Sequence, residues 1–217
     1  PGYYEKKWRK RRNENTIHEA QMAEKSSSGL GTKKLENEIA TLETKLSVDS
    51  VLFHPFENVL VAGDDQDTIS VFDWKEGNLI SRFRNRSAQK KSVLSCIHFL
   101  NEHDNTLLAA GTDDGIVRIW SNFARRGGRA KLVTAWRALL PDPVPSGKAA
   151  PKLVLEWQQQ NGYLFAAGHS KSIRLWDLHT ELVAYDIAVC NSEIEKAKPV
   201  TTLTIDPASD KEIIAGF

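Results

Sequence analysis

TLLAAGTDDGIVRIW, residues 106–120, decides how this chain folds. Residues 107–111 form a short apolar run. After it the pattern alternates, with Ile116, Arg118 and Trp120 on one side and Val117 and Ile119 on the other, the period of two that a strand requires. Thr112-Asp113-Asp114-Gly115 lies between the halves. Glycine supplies the positive φ of a tight hairpin and a preceding Asp tolerates such geometry, so the stretch reads as two antiparallel strands and a turn.

The same unit recurs. VLFHPFENVLVAGDDQDTISVFDW (51–74), CIHFLNEHDNTLLAAGTDDGIVRIW (96–120), LVLEWQQQNGYLFAAGHSKSIRLWD (153–177) and TTLTIDPASDKEIIAGF (201–217) align on an Ala-Gly pair. The anchoring glycines, Gly63, Gly111, Gly168 and Gly216, are 48, 57 and 48 residues apart. An aromatic follows each of the first three by eight or nine positions: Phe72, Trp120 and Trp176. A fourth run closes each full unit: NLISRF (78–83), KLVTAW (131–136) and ELVAYDI (181–187). Four short strands at this period are the signature of β-propeller blades. The sequence therefore predicts an all-β fold with blades over 46–86, 93–139 and 152–188, and the opening strands of another over 200–217. A blade is apolar on both faces and hides them only by stacking on its neighbours. The Ala-Gly pairs allow close approach in the second strands. Phe72, Trp120 and Trp176 are expected to wedge between blades as core, not to form a ligand cage.

The 217 residues, 41% hydrophobic and 26% charged, are ordinary for a globular protein able to bury a substantial core. Net charge is +1 but uneven: up to Lys34 nine Lys/Arg oppose four Asp/Glu, and beyond it twenty oppose twenty-four. Cys96 and Cys190 are too few for a disulfide framework and read as buried free thiols of a reducing compartment. No apolar run approaches the ~20 residues of a membrane span, and no signal-peptide core is present. A start without Met and an end inside an apolar run suggest a piece of a longer protein.

Residues 1–34 read as a basic helix (3–25) and a flexible linker (26–31). The cluster Lys6, Lys7, Arg9, Lys10, Arg11 and Arg12 could serve nuclear import or nucleic acid. A solvated helix face is the preferred reading, because aromatic interleaving is limited to Trp8. LENEIATLETKL (35–46) stays ambiguous: Leu35, Ile39, Leu42 and Leu46 share a helical face, whereas Ile39, Thr41 and Thr44 suit a strand, to which the repeat pattern inclines the reading.

Trp176-Asp177, its variant Phe72-Asp73 and the Thr-Asp-Asp-Gly turn resemble WD40 repeats. Within that group FHPFENVLVAGD, FDWKEGN, TLLAAGTDDGIVRIWSNF, LVTAWRAL and the Trp- and Arg-containing N-terminal stretch resemble the raptor family, scaffold subunits of target of rapamycin complex 1. The chain departs from the general WD40 pattern in lacking a Gly-His dipeptide ahead of its blades and in carrying Ser121 after Trp120. The usual His–Ser/Thr–Asp–Trp network is therefore expected to be incomplete, with blade stability coming mainly from apolar packing. The resemblance implies a seven-bladed ring, about three and a half blades of it here, and a ring-closing strand at 35–44.

No chemistry stands out. His18, His54, His98, His103, His169 and His179 form neither HxxxH nor HExxH, nor lie at ligand spacing from a cysteine. His54 and His98 read as equivalent ends of first strands. Asp64, Asp65, Asp67, Asp113 and Asp114 lack EF-hand spacing and are read as hairpin turns. No GxSxG or P-loop is present. Catalytic, cofactor and metal sites are all expected to be absent. Two loops exceed what blades need, 140–151 and 189–199, with Ser146 and Ser192 as phosphate acceptors; the first is the favoured regulatory surface. The resemblance implies a non-enzymatic adaptor for protein partners in TOR-dependent nutrient signalling, in the cytoplasm with recruitment to the vacuole or lysosome surface. The alternative is a WD40 protein binding nucleic acid or ribonucleoprotein through the basic helix and the RGG-like residues 125–129. With one blade face and one edge open at each end, the excised chain is expected to melt broadly.

Overall fold

The computed structural model describes residues 18, 21–22, 40–85, 92–102, 104–140, 152–189, 199–206 and 212–217. Contacts divide the chain into two units, Pro1–Thr41 and Leu42–Phe217. In the first, His18, Gln21 and Met22 are helical and exposed. The rest of the expected helix, its basic cluster and the linker lie outside the described residues. Residues 40–44, the described part of the segment implied to close a ring, carry no strand. Leu42 serves instead as a cover, packed against Leu60, Ala62 and Phe72.

The second unit is all β. Its first sheet holds β1 (Val48–Phe53), β2 (Val59–Asp64), β3 (Thr68–Asp73) and β4 (Asn78–Arg84). The second holds β5 (Leu94–Leu100), β6 (Leu107–Thr112), β7 (Ile116–Ser121) and β8 (Lys131–Arg137). The third holds β9 (Leu153–Gln158), β10 (Tyr163–Gly168), β11 (Ser172–Asp177) and β12 (Leu182–Ala188). A hairpin of β13 (Thr202–Ile205) and β14 (Ile213–Gly216) follows. Every pairing is antiparallel and each sheet is a simple meander, so the strands order themselves as they come in sequence. First strands of successive sheets are neighbours, β1 with β5, β5 with β9 and β9 with β13. This is the partial β-propeller that the repeat predicts.

The turn at Thr112-Asp113-Asp114-Gly115 forms as read: Gly115 has φ +77 and its N–H donates to the Thr112 carbonyl at 2.9 Å. Burial follows strand position. β2 is buried throughout, while β8 and β12 are exposed along most of their length, as central and outermost strands of stacked sheets must be.

Register refines the repeat. Phe72, Trp120 and Trp176 lie opposite Leu60, Leu108 and Leu164. Each also sits at a bulge against the fourth strand, which sharpens the local twist. Counting from these pairs puts Gly63 and Gly111 in register with Ala167, not with Gly168. The Ala-Gly alignment thus slips by one in the third repeat. The reason is local: β1 and β5 carry a bulge near their starts, between Val48 and Ser50 and between Leu94 and Cys96, whereas β9 pairs evenly. Gly168 has its own need for glycine, with φ +147 and a Cβ position 2.0 Å from the Lys152 carbonyl oxygen.

Small residues at the shared position admit the next sheet. A Cβ on Gly63 would lie 2.0 Å from Leu94 Cδ2, and one on Gly111 2.7 Å from Leu153 Cδ2. At the third boundary Ala167 packs with Val200. Around these contacts one apolar core lies between each pair of sheets: Val61, Val71, Phe99 and Leu108; then Ala109, Val117, Leu155 and Leu164; then Phe165, Leu175, Leu203 and Ile205. Two of the three aromatics wedge there as expected, Trp120 against Phe83 with ring centroids 4.9 Å apart and Trp176 against Trp136 at 5.9 Å, whereas Phe72 packs with Leu60, Ala62 and Leu42 on the other face of the first sheet. Gly168→Ala combines a disfavoured backbone with a backbone clash. It should cost about 3 kcal/mol in the intact protein, against about 1 kcal/mol for Gly127→Ala, which shares a positive φ but meets open space. Denaturant melts of the two variants check the difference.

Candidate interaction surface

The boundaries between sheets are joined by polar contacts as well as by apolar packing. Asp67 stands where the second sheet has Gly115, at φ +62, and is fully buried. Its carboxylate accepts from Asn85 Nδ2 at 2.9 Å and from Ser92 Oγ at 3.3 Å. Asn85 Oδ1 accepts in turn from Trp120 Nε1 of the next sheet at 2.8 Å. At the following boundary Trp176 Nε1 donates to the Ala138 carbonyl at 2.9 Å. There too the Gln159 side chain is clamped between the two sheets: its Oε1 accepts from Asn101 N–H at 3.0 Å and from Trp157 Nε1 at 2.7 Å, and its Nε2 donates to Asn101 Oδ1 at 2.7 Å. Beside the apolar packing expected to supply most of the blade stability, Asp67, Asn85, Ser92 and Gln159 add polar joints between the sheets. The sequence placed Asp67 in a hairpin turn but gave no role to Asn85, Ser92 or Gln159, although Asp67 aligning with Gly115 was a visible signal.

Two motifs acquire physical causes. In FHPFE, His54 Nδ1 accepts the N–H groups of Phe56 and Glu57 at 3.2 and 3.0 Å. That fixes the proton on Nε2, which reaches Thr106 Oγ1 of the second sheet at 3.0 Å. In WSNF, Asn122 takes φ +56 and turns Phe123 back into the first core, stacked on Phe99 at 5.9 Å. The Phe123 carbonyl accepts from Ser81 Oγ of the first sheet.

Candidate reactive groups are dispersed. His54 follows β1, whereas His98 lies inside β5 opposite Ala109, so they are not equivalent strand ends. His98 instead shares its register position with Leu52 and Glu156. Burial holds the His98 imidazole below its ordinary range. Burial raises the Glu156 carboxyl, and the Ile205 N–H, donating at 3.3 Å, pulls it the other way. Cys96 is a free cysteine whose thiol burial pushes up to about 12, so it is no nucleophile at neutral pH. His103 and Cys190 lie outside the described residues. His169 is half-buried, and His179 lies exposed in the turn after β11, its N–H donating to Asp177 Oδ1 at 2.8 Å.

The acidic residues serve turns. Asp64 Oδ1 accepts from the N–H groups of Gln66 and Thr68, Asp113 Oδ1 from Val93 N–H, and Asp114 Oδ1 from Thr112 Oγ1. Among the described residues no three His, Cys, Asp or Glu side chains gather as metal ligands do. In the basic loop 125–129 the Arg126 guanidinium is bound to Asp73 at 2.9 Å. The Glu76 N–H, followed by Arg126, holds the Asp73 carboxyl below its usual range. Ser146, Ser192 and most of the loops 140–151 and 189–199 lie outside the described residues.

Meandering four-strand sheets stacked through small-residue contacts, with an aromatic near the end of each third strand, buried at Phe72 and partly buried at Trp120 and Trp176, define the class: this is a WD40 β-propeller segment. The WD40 family model, "WD domain, G-beta repeat", matches residues 79–121. The particular kind follows from the relatives. The chain is 36% identical over 99% of its length to the "Target of rapamycin complex 1 subunit KOG1" of Saccharomyces cerevisiae, of which it spans 13%. It is 30% identical over 99% of its length to the "Target of rapamycin complex 1 subunit mip1" of Schizosaccharomyces pombe, of which it spans 15%. The crystal structure of Chaetomium thermophilum Raptor superposes on 84% of the chain with a TM-score of 0.70 and 33% identity, and the chain covers 16% of it. The propeller segment is thus of the raptor type, as its FHPFE and WSNF motifs suggested.

Asn85→Leu leaves the buried Asp67 carboxylate and the Trp120 indole short of partners. It should cost about 3 kcal/mol, read from denaturant melts. Glu156 is raised in the fold, so the unfolded chain loses that proton first, and the stability it contributes falls as pH rises from its ordinary 4.5 through the raised value. Glu156→Gln keeps the acceptor for Ile205 N–H and should flatten that decline; melts between pH 4 and 7 test it.

Proposed function

We propose that this chain is a non-catalytic scaffold segment of a target of rapamycin complex 1 subunit, part of a seven-bladed ring that recruits protein partners in nutrient-responsive growth control. The observation that carries the reading is the match over 99% of the chain to two fungal subunits named for that complex, supported by the superposition on Raptor. The physical features agree. A catalytic centre would gather titratable groups in a cleft, whereas the titratable groups that burial perturbs here, Cys96 and His98 on β5 and Glu156 on β9, lie within packed strands. We place the protein in the cytoplasm, with recruitment to the vacuole or lysosome surface. In the described part of the footprint of the nucleic-acid alternative, Arg126 is paired with Asp73, which leaves Arg125 and Arg129 as its exposed cations. Affinity purification of the intact protein under gentle lysis should bring down a TOR-type kinase. A free monomer in that experiment contradicts the proposal, and salt-sensitive RNA binding abolished by neutralising residues 6–12 would replace it with the alternative.

A further inference from the structure

Between the second and third sheets, on the side of their outer strands, lies an open groove of about 370 Å³. Trp136 and Trp176 stand in its wall beside Ile119 and Leu178, and Val133 lies on its rim, 53% exposed. The indole Nε1 of Trp136 is buried without a hydrogen-bond partner among the described residues. Glu181 is the one charged side chain among the described residues lining the groove, and it is exposed and takes part in no ion pair among them. Exposed apolar surface continues past it through Leu182, at 66%, and Val183, at 42%.

Glu181 is also in the wrong backbone for its type. It has φ +59 at the turn between β11 and β12; the equivalent turn of the first sheet, between β3 and β4, has Gly77 there at φ +67. A residue with a Cβ in the left-handed region carries strain, and such outliers gather where a side chain is needed. Glycine would satisfy the turn better, so the turn does not explain the carboxylate. What the carboxylate adds is a negative charge at the mouth of a Trp-lined apolar groove.

We propose that this groove is a docking site for a peptide segment of a partner protein that seats a large apolar side chain between Trp136 and Trp176 and sets an adjacent Lys or Arg against Glu181. The volume suits one or two large apolar side chains, and pockets of this size that combine apolar walls with a single placed charge are the usual form of a specific site. Charge complementarity chooses a basic neighbour over an acidic one, and the indole faces favour the same cation. The inference stands apart from the assembly proposed above: peptide capture here neither requires nor predicts the kinase, so either can fail alone.

The test uses the intact protein and three labelled probes followed by fluorescence anisotropy: acetyl-Gly-Lys-Leu-Phe-Lys-Gly-amide, its Glu-for-Lys counterpart and its Ala-for-Lys counterpart. The lysine peptide should bind most tightly. Glu181→Lys should weaken it by ~5-fold or more and favour the glutamate peptide instead. Val133→Asp, a change at an exposed rim, should weaken all three. Glu181→Gly should raise the melting temperature while losing the preference for lysine, which separates strain held for binding from a merely structural turn. Equal binding of the three probes by the unaltered protein, or no binding of any, overturns the proposal. So does a Glu181→Lys variant with unchanged selectivity. A change in sedimentation on Val133→Asp with peptide binding intact also overturns it, because the groove would then hold a second copy of this chain.

Discussion

The structure depends on a missing side chain. Where Gly63 and Gly111 sit, a Cβ would collide with Leu94 or Leu153, the first-strand leucine of the following sheet. Interiors pack to near-crystalline density, so each leucine fits only because the preceding sheet offers no side chain there. The contact sets the approach of neighbouring sheets, and the other boundary contacts are placed by it. Trp120 meets Asn85 and Phe83, Trp176 meets Ala138 and Trp136, and His54 meets Thr106.

The two kinds of joint act differently. Apolar burial supplies most of the stabilisation, at about 25 cal/mol per Å² removed from water, but it is tolerant of small slips. A buried carboxylate such as Asp67 contributes little net energy, yet it is costly to leave unmatched. It therefore accepts one arrangement of Asn85, Ser92 and the next sheet. Polar staples at the boundaries fix register while the cores hold the sheets together. A surface assembled from two blades is only as definite as the joint between them.

The meander of strands and its period were legible in the sequence, because period-two alternation and the glycine turns are local signals. Trp120 and Trp176 were correctly read as core for the same reason: their spacing repeats. The slip at Gly168 was not legible, since it follows from an absent bulge in β9, a strand whose sequence alternates as evenly as its relatives. The joints made by Asp67, read only as a turn residue, and by Gln159 were missed because a polar residue in a turn looks solvated until the next sheet closes over it. The groove beside Glu181 was hidden for a related reason: Trp136, Trp176 and Glu181 come from three different strand ends and meet only across a boundary.

The bare glycine and the incoming leucine are one contact. A double-mutant cycle on Gly63 and Leu94 in the intact protein measures it directly. Gly63→Ala should destabilise the native protein by about 1–3 kcal/mol and be nearly neutral once Leu94→Ala has made room, a coupling above ~1 kcal/mol. Additive effects of the two substitutions would contradict it.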